Sequence, residues 1–295
     1  MTVHFVGAGP GAADLITLRA VARLAAADVV LYPGTYIDAE VLSHCRADAR
    51  RVDTQDLDLD QITQTVVDAH RAGQEVVRLT SGDPSLYSAL AEQTRRLDAA
   101  GVPWAVTPGV PAYAAAAALV GRELTVPEVA QSVVLTRAQA RSTQMPAGEK
   151  LAHFAATGTT LVLHLAITRT AEIAAELAEY YGPGCPAVVV HRVSQPAELV
   201  LRGTLADIGE QVEAAGLKQA ALIFVGPALN RAGEAESFLY DPNRDRSSPG
   251  PSKAEFWGAL ESETPDTEYL DELAEADQAF AADTESAIAD FEAGR

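Results

Sequence analysis

The chain is short of cysteine, of positive charge and of long apolar runs. Its 295 residues hold two cysteines, Cys45 and Cys185. Their separation gives neither metal-ligand spacing nor a disulfide framework, so no metal is expected and a reducing cytoplasm is the simplest setting. Lys and Arg number 22 against 41 Asp and Glu, for a net charge of −19. That sign counts against a nucleic-acid partner, which needs a cationic footprint for its phosphates. An anionic small substrate would need a local cluster of Arg working against this global field. No apolar run reaches membrane-spanning length, and the Ala-rich stretch 114–118 is short and weakly hydrophobic. The first residues carry no basic segment followed by an apolar one, so they do not read as a signal peptide. A Walker Lys-Ser/Thr pair is missing, and no repeat of fixed period is visible.

What is present suits one large or two ordinary domains, with 48% hydrophobic residues to fill a core. The acidity is uneven. Residues 231–295 contain 17 Asp and Glu against 5 Lys and Arg. Within them, 241–252 (DPNRDRSSPGPS) has a linker composition, and 253–292 is strongly acidic with only a weak apolar periodicity. This segment reads as a mobile, solubilising tail. Truncation after Arg231 is expected to leave folding and activity intact.

The most informative stretch is 76–88, VVRLTSGDPSLYS. Val76, Val77 and Leu79 are strand formers. Gly82 permits a close backbone approach, and Asp83 and Pro84 suit the cap and first turn of a helix running to about Leu97. Such strand ends are where open α/β sheets hold small ligands. The preceding chain alternates in the same way. VHFV (3–6) reads as a strand and is followed by a helix with Leu18, Val21 and Leu24 on one side. A strand at 29–32, a helix at 38–44, a strand at 51–53 and a helix at 59–72 come next, and 104–106 is the next strand. Alternation of this kind predicts a parallel sheet. Residues 121–131 (GRELTVPEVAQ) break the pattern. The division is therefore an N-terminal α/β domain at 1–121, a C-terminal α/β domain at 122–230 and the acidic tail at 231–295. In the second domain, strands are expected at 132–138, 160–166, 187–193, 199–201 and 221–225, with helices at 149–156, 169–181 and 207–214.

The first glycine turn, GAGPGA at 7–12, can be forced into a dinucleotide fingerprint, which would make the protein a nucleotide-dependent oxidoreductase. Pro10 lacks the amide proton that an anion-cradling turn uses, and the second strand ends in Leu31-Tyr32-Pro33, with no acid for a ribose hydroxyl. The glycines more readily let a ligand or the facing domain come close. Asp14 and Asp83 each read either as a helix cap or as an acceptor for a ligand N–H or hydroxyl. His164 and His191 read as core histidines with satisfied hydrogen bonds.

Taken in order, GAGPGAADLITLRA, TSGDPSLYSAL, TPGVPAYAAAAALVGRELT and TLVLHLA resemble the motifs of the tetrapyrrole methylase family, across roughly residues 2–229. The resemblance implies two α/β domains, the first with a parallel and the second with a mixed sheet, in a homodimer. It also implies S-adenosyl-L-methionine held between the domains, and a tetrapyrrole substrate. Carried over residue by residue, the cofactor contacts fall on Pro10, on Ser81, Gly82 and Asp83, on Leu86, on Pro111 and Ala112, on Leu165, on Val193, and on Ala220 and Ala221. Leu165 stands where relatives often have Met. Pro111 stands where some have Thr, and it offers neither hydroxyl nor amide proton. Asp14, read above as a cap or an acceptor, is the candidate to accept from a ring N–H of that substrate. Arg19, Arg122, Arg137, Arg141 and Arg169 are the cations available for the substrate's carboxylates, since Arg forks suit carboxylates. Tyr87 and Tyr113 are candidate donors. Methyl transfer from a sulfonium to an electron-rich carbon leaves a neutral thioether, so neither a covalent intermediate nor a metal cofactor is expected.

Overall fold

The computed structural model describes residues 1–138 and 144–230. The acidic tail, and Arg141 with it, lie outside the described residues. Among the described residues, ten strands form two five-stranded sheets. The first holds β1 (Val3–Gly7), β2 (Val29–Tyr32), β3 (Arg50–Asp53), β4 (Val76–Thr80) and β5 (Trp104–Thr107) in the order β3-β2-β4-β1-β5. Every pairing in it is parallel. Central β1 and β4 are buried along their whole length, whereas edge strands β3 and β5 are partly exposed. This explains why β1 and β4 read as apolar runs and not as alternations. Arg78 is the exception within β4. It is buried, its Nε donates to Gln93 Oε1 at 3.1 Å and its Nη1 to Leu79 O at 3.1 Å, and burial lowers its pKa to about 10, so it stays cationic.

Crossover helices cover both faces, as parallel connections require. Helix α1 (Leu18–Ala26) packs Ala20 and Leu24 on one face with Val6, Val30 and Leu79. Leu18, expected on that apolar stripe, is instead 89% exposed in the first turn, and the buried stripe runs through Ala20 and Leu24. The cap is Thr17, whose side chain accepts from Ala20 N, not Asp14. Helix α2 (Leu59–Arg71) is entered through a capping box between Asp58 and Gln61, and it buries Ile62, Val66, Val67 and Ala69 on the opposite face. The helix expected at 38–44 is only a single 3-10 turn, Val41–His44. Helix α3 (Leu90–Ala99) starts later than its sequence suggests. Asp83 caps no helix there. Residues 83–89 are a turn in which Tyr87 and Ala89 take φ of 51° and 54°, which blocks helix until Leu90.

The second sheet is mixed and runs β6-β7-β10-β8-β9. It comprises β6 (Val133–Arg137), β7 (Thr160–His164), β8 (Pro186–His191), β9 (Leu199–Thr204) and β10 (Ala221–Val225). Only β6 and β7 pair in parallel; the other pairings are antiparallel. Helices α5 (Leu151–Ala156), α6 (Thr170–Tyr181) and α7 (Ile208–Ala214) cover one face, burying Ala155, Ile173, Leu177 and Val212 on Leu161, Leu163 and Val189. Each such fully buried aliphatic side chain is worth about 1.5–3 kcal/mol. The other face receives α4 (Ala112–Val120), whose Ala116 and Val120 pack on Val162, Val188, Val190 and Phe224. Thus the helix that follows the last strand of the first sheet lies on the second sheet. Among the described residues no helix is long and apolar enough to cross a membrane.

Candidate functional site

At the C-terminal end of the first sheet, the turns after β1, β4 and β5 are pressed together. Gly9 and Gly82 exchange backbone hydrogen bonds, Gly82 N to Gly9 O at 2.8 Å and Gly9 N to Gly82 O at 3.2 Å. A Cβ on Gly7 would lie 2.5 Å from Gly109 N, and one on Gly109 only 2.1 Å from Gly82 O. Gly7 and Gly109 are therefore required by backbone-to-backbone packing of the turns upon one another, whereas Gly82 is required by its left-handed backbone, φ 67°. Asp83 fastens the same knot. Its Oδ2 accepts from Gly109 N at 2.8 Å, and its Oδ1 accepts from Ser85 N at 2.8 Å and from the Ser85 hydroxyl. Burial pushes the carboxyl pKa up, but the bonds from the Ser85 hydroxyl, Gly109 N and Ser85 N together outweigh it and hold the group below its ordinary value.

These turns face the second sheet across a cavity of about 310 Å³. Pro10, Ser81 and Ala112 line it from the first half; Leu165, Val193, Ala220 and Ala221 line it from the second. Its volume lies at the lower end of the roughly 300–1,000 Å³ usual for small-molecule sites. Three of the lining residues sit in left-handed backbone: Leu165 at φ 52°, Arg192 at 49° and Ala220 at 52°. Non-glycine residues held this way cost about 1–3 kcal/mol each and cluster at ligand sites. The glycine turn also meets the facing half directly. Gln195 Nε2 donates to Pro10 O at 2.9 Å, and Ala12 N donates to Ser194 Oγ at 3.1 Å. A Cβ on Gly11 would stand 2.2 Å from Gln195 Cγ. After Ala12 the chain makes a 3-10 turn, Ala13–Leu15, and α1 begins only at Leu18. No helix N-terminus opens directly from the glycines, as a dinucleotide fingerprint needs.

The family pattern for tetrapyrrole (corrin/porphyrin) methylases matches residues 2–209. The chain belongs to this family. It is 53% identical over 247 residues to a precorrin-4 C(11)-methyltransferase of Rhodococcus erythropolis, covering 84% of this chain and 99% of that one. Among solved structures it is similar to a cobalt-precorrin-4 methyltransferase, with TM-score 0.75 and 35% identity over 78% of this chain and 96% of that one. It is also similar to the uroporphyrin-III C-methyltransferase of Thermus thermophilus solved in complex with S-adenosyl homocysteine, with TM-score 0.65 and 29% identity over 78% and 99%.

In this tetrapyrrole methylase seven of the sequence's cofactor candidates line one cavity: Pro10, Ser81, Ala112, Leu165, Val193, Ala220 and Ala221. Gly82, Asp83, Leu86 and Pro111 are not among its lining residues. Gly82 and Asp83 build the knot behind it. Leu86 is half-buried in the turn after Asp83, and Pro111 is the residue preceding α4. The candidate substrate contacts are more scattered. Asp14 and Arg19 are exposed before and on α1. Tyr113 is half-buried against the second sheet's core. Arg122 is engaged by backbone, its Nε donating to Leu229 O at 2.9 Å and its Nη1 to Gly121 O at 3.0 Å. Arg169 is ion-paired with Glu172 at 2.6 Å. Arg137 ends β6, directly across from His164 on β7, and its Nη2 donates to Gln144 O at 3.3 Å. Tyr87 packs against His164 in a tilted arrangement, with ring centroids 5.0 Å apart.

His164 departs from its expected role. It lines the cavity, and its Nε2 is buried without a hydrogen-bond partner. Burial lowers its pKa to about 4, so the ring is neutral at neutral pH. His191 is different, because it does not line the cavity and has no buried ring nitrogen without a partner. Sequence reasoning missed Tyr36, Arg192, Gln195 and Lys218 as cavity residues. Arg192 was findable, since it directly follows a strand end, as Ser81 and Leu165 do. Tyr36, Gln195 and Lys218 lie in loops with no motif around them.

Proposed function

We propose that this methylase is a precorrin-4 C(11)-methyltransferase, which moves a methyl group from S-adenosyl-L-methionine to carbon 11 of precorrin-4 and yields precorrin-5 in cobalamin biosynthesis. The observation that carries this reading is the cavity between the two sheets, where seven residues from motifs far apart in sequence converge. Its donor set fits an adenosyl sulfonium. Small Ala112, Ala220 and Ala221 leave room, Val193 and Leu165 give apolar wall, and Ser81 and Arg192 add polar groups at strand ends. The donor supplies an electrophilic methyl and departs as a neutral thioether.

What remains for the protein is positioning. The knot of Gly7, Gly82, Gly109 and Asp83 fixes one wall, and the Gln195 and Ser194 bonds fix its distance from the other. Holding two reactants in line in this way contributes about 7–11 kcal/mol in the best-oriented systems. A homodimer belongs to the same reading. Edge strand β5 leaves Trp104 and Val106 exposed, and such an edge favours cover by a partner. So does a cytoplasmic setting, which suits two buried, unpaired cysteines.

The test is turnover of metal-free and cobalt-loaded precorrin-4 in separate assays, with the product read by mass spectrometry. One added methyl on the metal-free substrate is expected. Methylation of the cobalt form alone would move the chain to that branch. Tight binding of NAD(P) with no binding of S-adenosylhomocysteine would overturn the methylase assignment altogether.

A further inference from the structure

A reduced, carboxylate-rich tetrapyrrole presents two kinds of polar group. Its acidic side chains need cations, and its pyrrole-type N–H groups need neutral acceptors. The cleft supplies the second kind at one position. His164 ends β7, is half-buried and lines the cavity. Its Nε2 is sealed from solvent with no partner, which leaves Nδ1 as the ring nitrogen a ligand can reach. Leaving a buried polar group unsatisfied costs about 1–3 kcal/mol. Three other histidines also carry an unpartnered buried ring nitrogen, His4, His44 and His70, but none of them lines this cavity.

The surroundings of His164 point the same way. Tyr87 reaches across from the first half and lies on the imidazole at an interplanar angle of 49°. It does so from left-handed backbone, φ 51°, so the turn after β4 spends conformational energy to hold that ring there. Tyr87 is itself half-exposed, so the pair forms part of the cleft's open rim and is not core. Arg137 stands beside His164 in the neighbouring strand. An aromatic face, a neutral imidazole and a cation thus meet where the two halves face each other.

We infer that His164 is a substrate-contacting residue, whose neutral imidazole accepts a hydrogen bond from a ring N–H of the tetrapyrrole and so sets which ring is presented to the donor. Desolvation keeps the imidazole uncharged, which suits it to an N–H and unsuits it to a carboxylate. The inference rests on the methyltransferase reading above, and its test separates the two.

His164→Phe keeps a ring against Tyr87 and removes the acceptor; His164→Gln restores an acceptor in about the same place. Circular dichroism and the urea midpoint certify the fold of both. Because His164 lines the donor cavity, S-adenosylhomocysteine affinity is measured alongside, and the inference requires precorrin-4 affinity to fall by more than donor affinity, an equal fall in the two overturning it. Precorrin-4 affinity, titrated anaerobically by absorbance, is expected to fall about tenfold in His164→Phe, as the loss of one hydrogen bond implies. His164→Gln is expected to recover most of it. On the unmodified protein, ¹⁵N-histidine NMR reports the same event as a shift of the His164 ring nitrogen on adding precorrin-4. Wild-type affinity in His164→Phe, or an unmoved ¹⁵N signal in a protein that binds precorrin-4, overturns the inference and leaves the function standing. A wild-type chain that neither binds nor methylates precorrin-4 overturns both.

Discussion

Gly109→Ala is the sharpest test of how the cleft is built. The added Cβ would stand 2.1 Å from Gly82 O, 2.9 Å from Gly7 Cα and 3.0 Å from Gly7 C. All three are backbone atoms, so no side-chain rotation relieves the clash; one turn must move by more than an ångström to restore contact at the ordinary 3.4 Å. That movement breaks the Gly109 N bond to Asp83 and both Gly9–Gly82 bonds. Three hydrogen bonds at about 0.5–1.5 kcal/mol each put the loss at roughly 2–4 kcal/mol. In a domain of this size that lowers Tm by roughly 5–12 °C. Urea unfolding measures the first quantity, and calorimetry with S-adenosylhomocysteine asks whether the donor site is lost with it. Gly184→Ala is the control, because it has open space and no left-handed backbone. If Gly109→Ala unfolds within about 0.5 kcal/mol of wild type, the size of an ordinary surface substitution, and binds S-adenosylhomocysteine normally, the knot is not what holds the wall.

Four further outcomes are expected. Ala112→Leu places a larger side chain in the cavity wall and should weaken S-adenosylhomocysteine binding while leaving the unfolding midpoint close to wild type. Asp83→Ala removes the acceptor for Gly109 N and should lower both stability and donor affinity; unchanged values in both would show the carboxylate to be dispensable. His164 sits at about 4 in the folded protein against 6.5 unfolded, so its neutral form is favoured by folding. Stability is complete above pH 6.5 and falls as pH drops toward about 4, by at most about 3 kcal/mol and less for its partial exposure; His164→Phe should flatten the stability–pH curve in that window. Gln195→Ala removes the bond to Pro10 O and should raise the dissociation constant for S-adenosylhomocysteine several-fold, readable by calorimetry.

The elements most legible from sequence were those whose pattern reports burial directly. β1, β4 and β10 are apolar runs because both of their faces are covered, and α2 and α6 show their buried stripes at helical spacing. The start of α3 was misread because Asp83-Pro84 is good cap chemistry, yet Asp83 spends its oxygens on Ser85 and Gly109. Propensity could not show that Gly109, 26 residues away, would compete for that side chain. Seven of the motif residues meet at one cavity, while Gly82, Asp83, Leu86 and Pro111 do not line it. His164 was misjudged because a histidine in an apolar strand looks the same in sequence whether or not its nitrogens find partners. Arg122 and Arg169 were equally opaque, since only the fold brings Leu229 O to the one, and α6 turns Glu172 onto the other.

The seam that joins the glycine turn to the opposite hairpin loop is made of two contacts, Gln195 to Pro10 and Ala12 to Ser194, and neither carries a formal charge. Counterions have nothing to screen in those two bonds themselves. Charge enters one residue behind them, where Glu198 accepts from Ser194 N at 2.6 Å and Arg192 lines the cavity. Salt therefore acts on this seam through the loop that carries Ser194 and Gln195, not through the bonds that cross it.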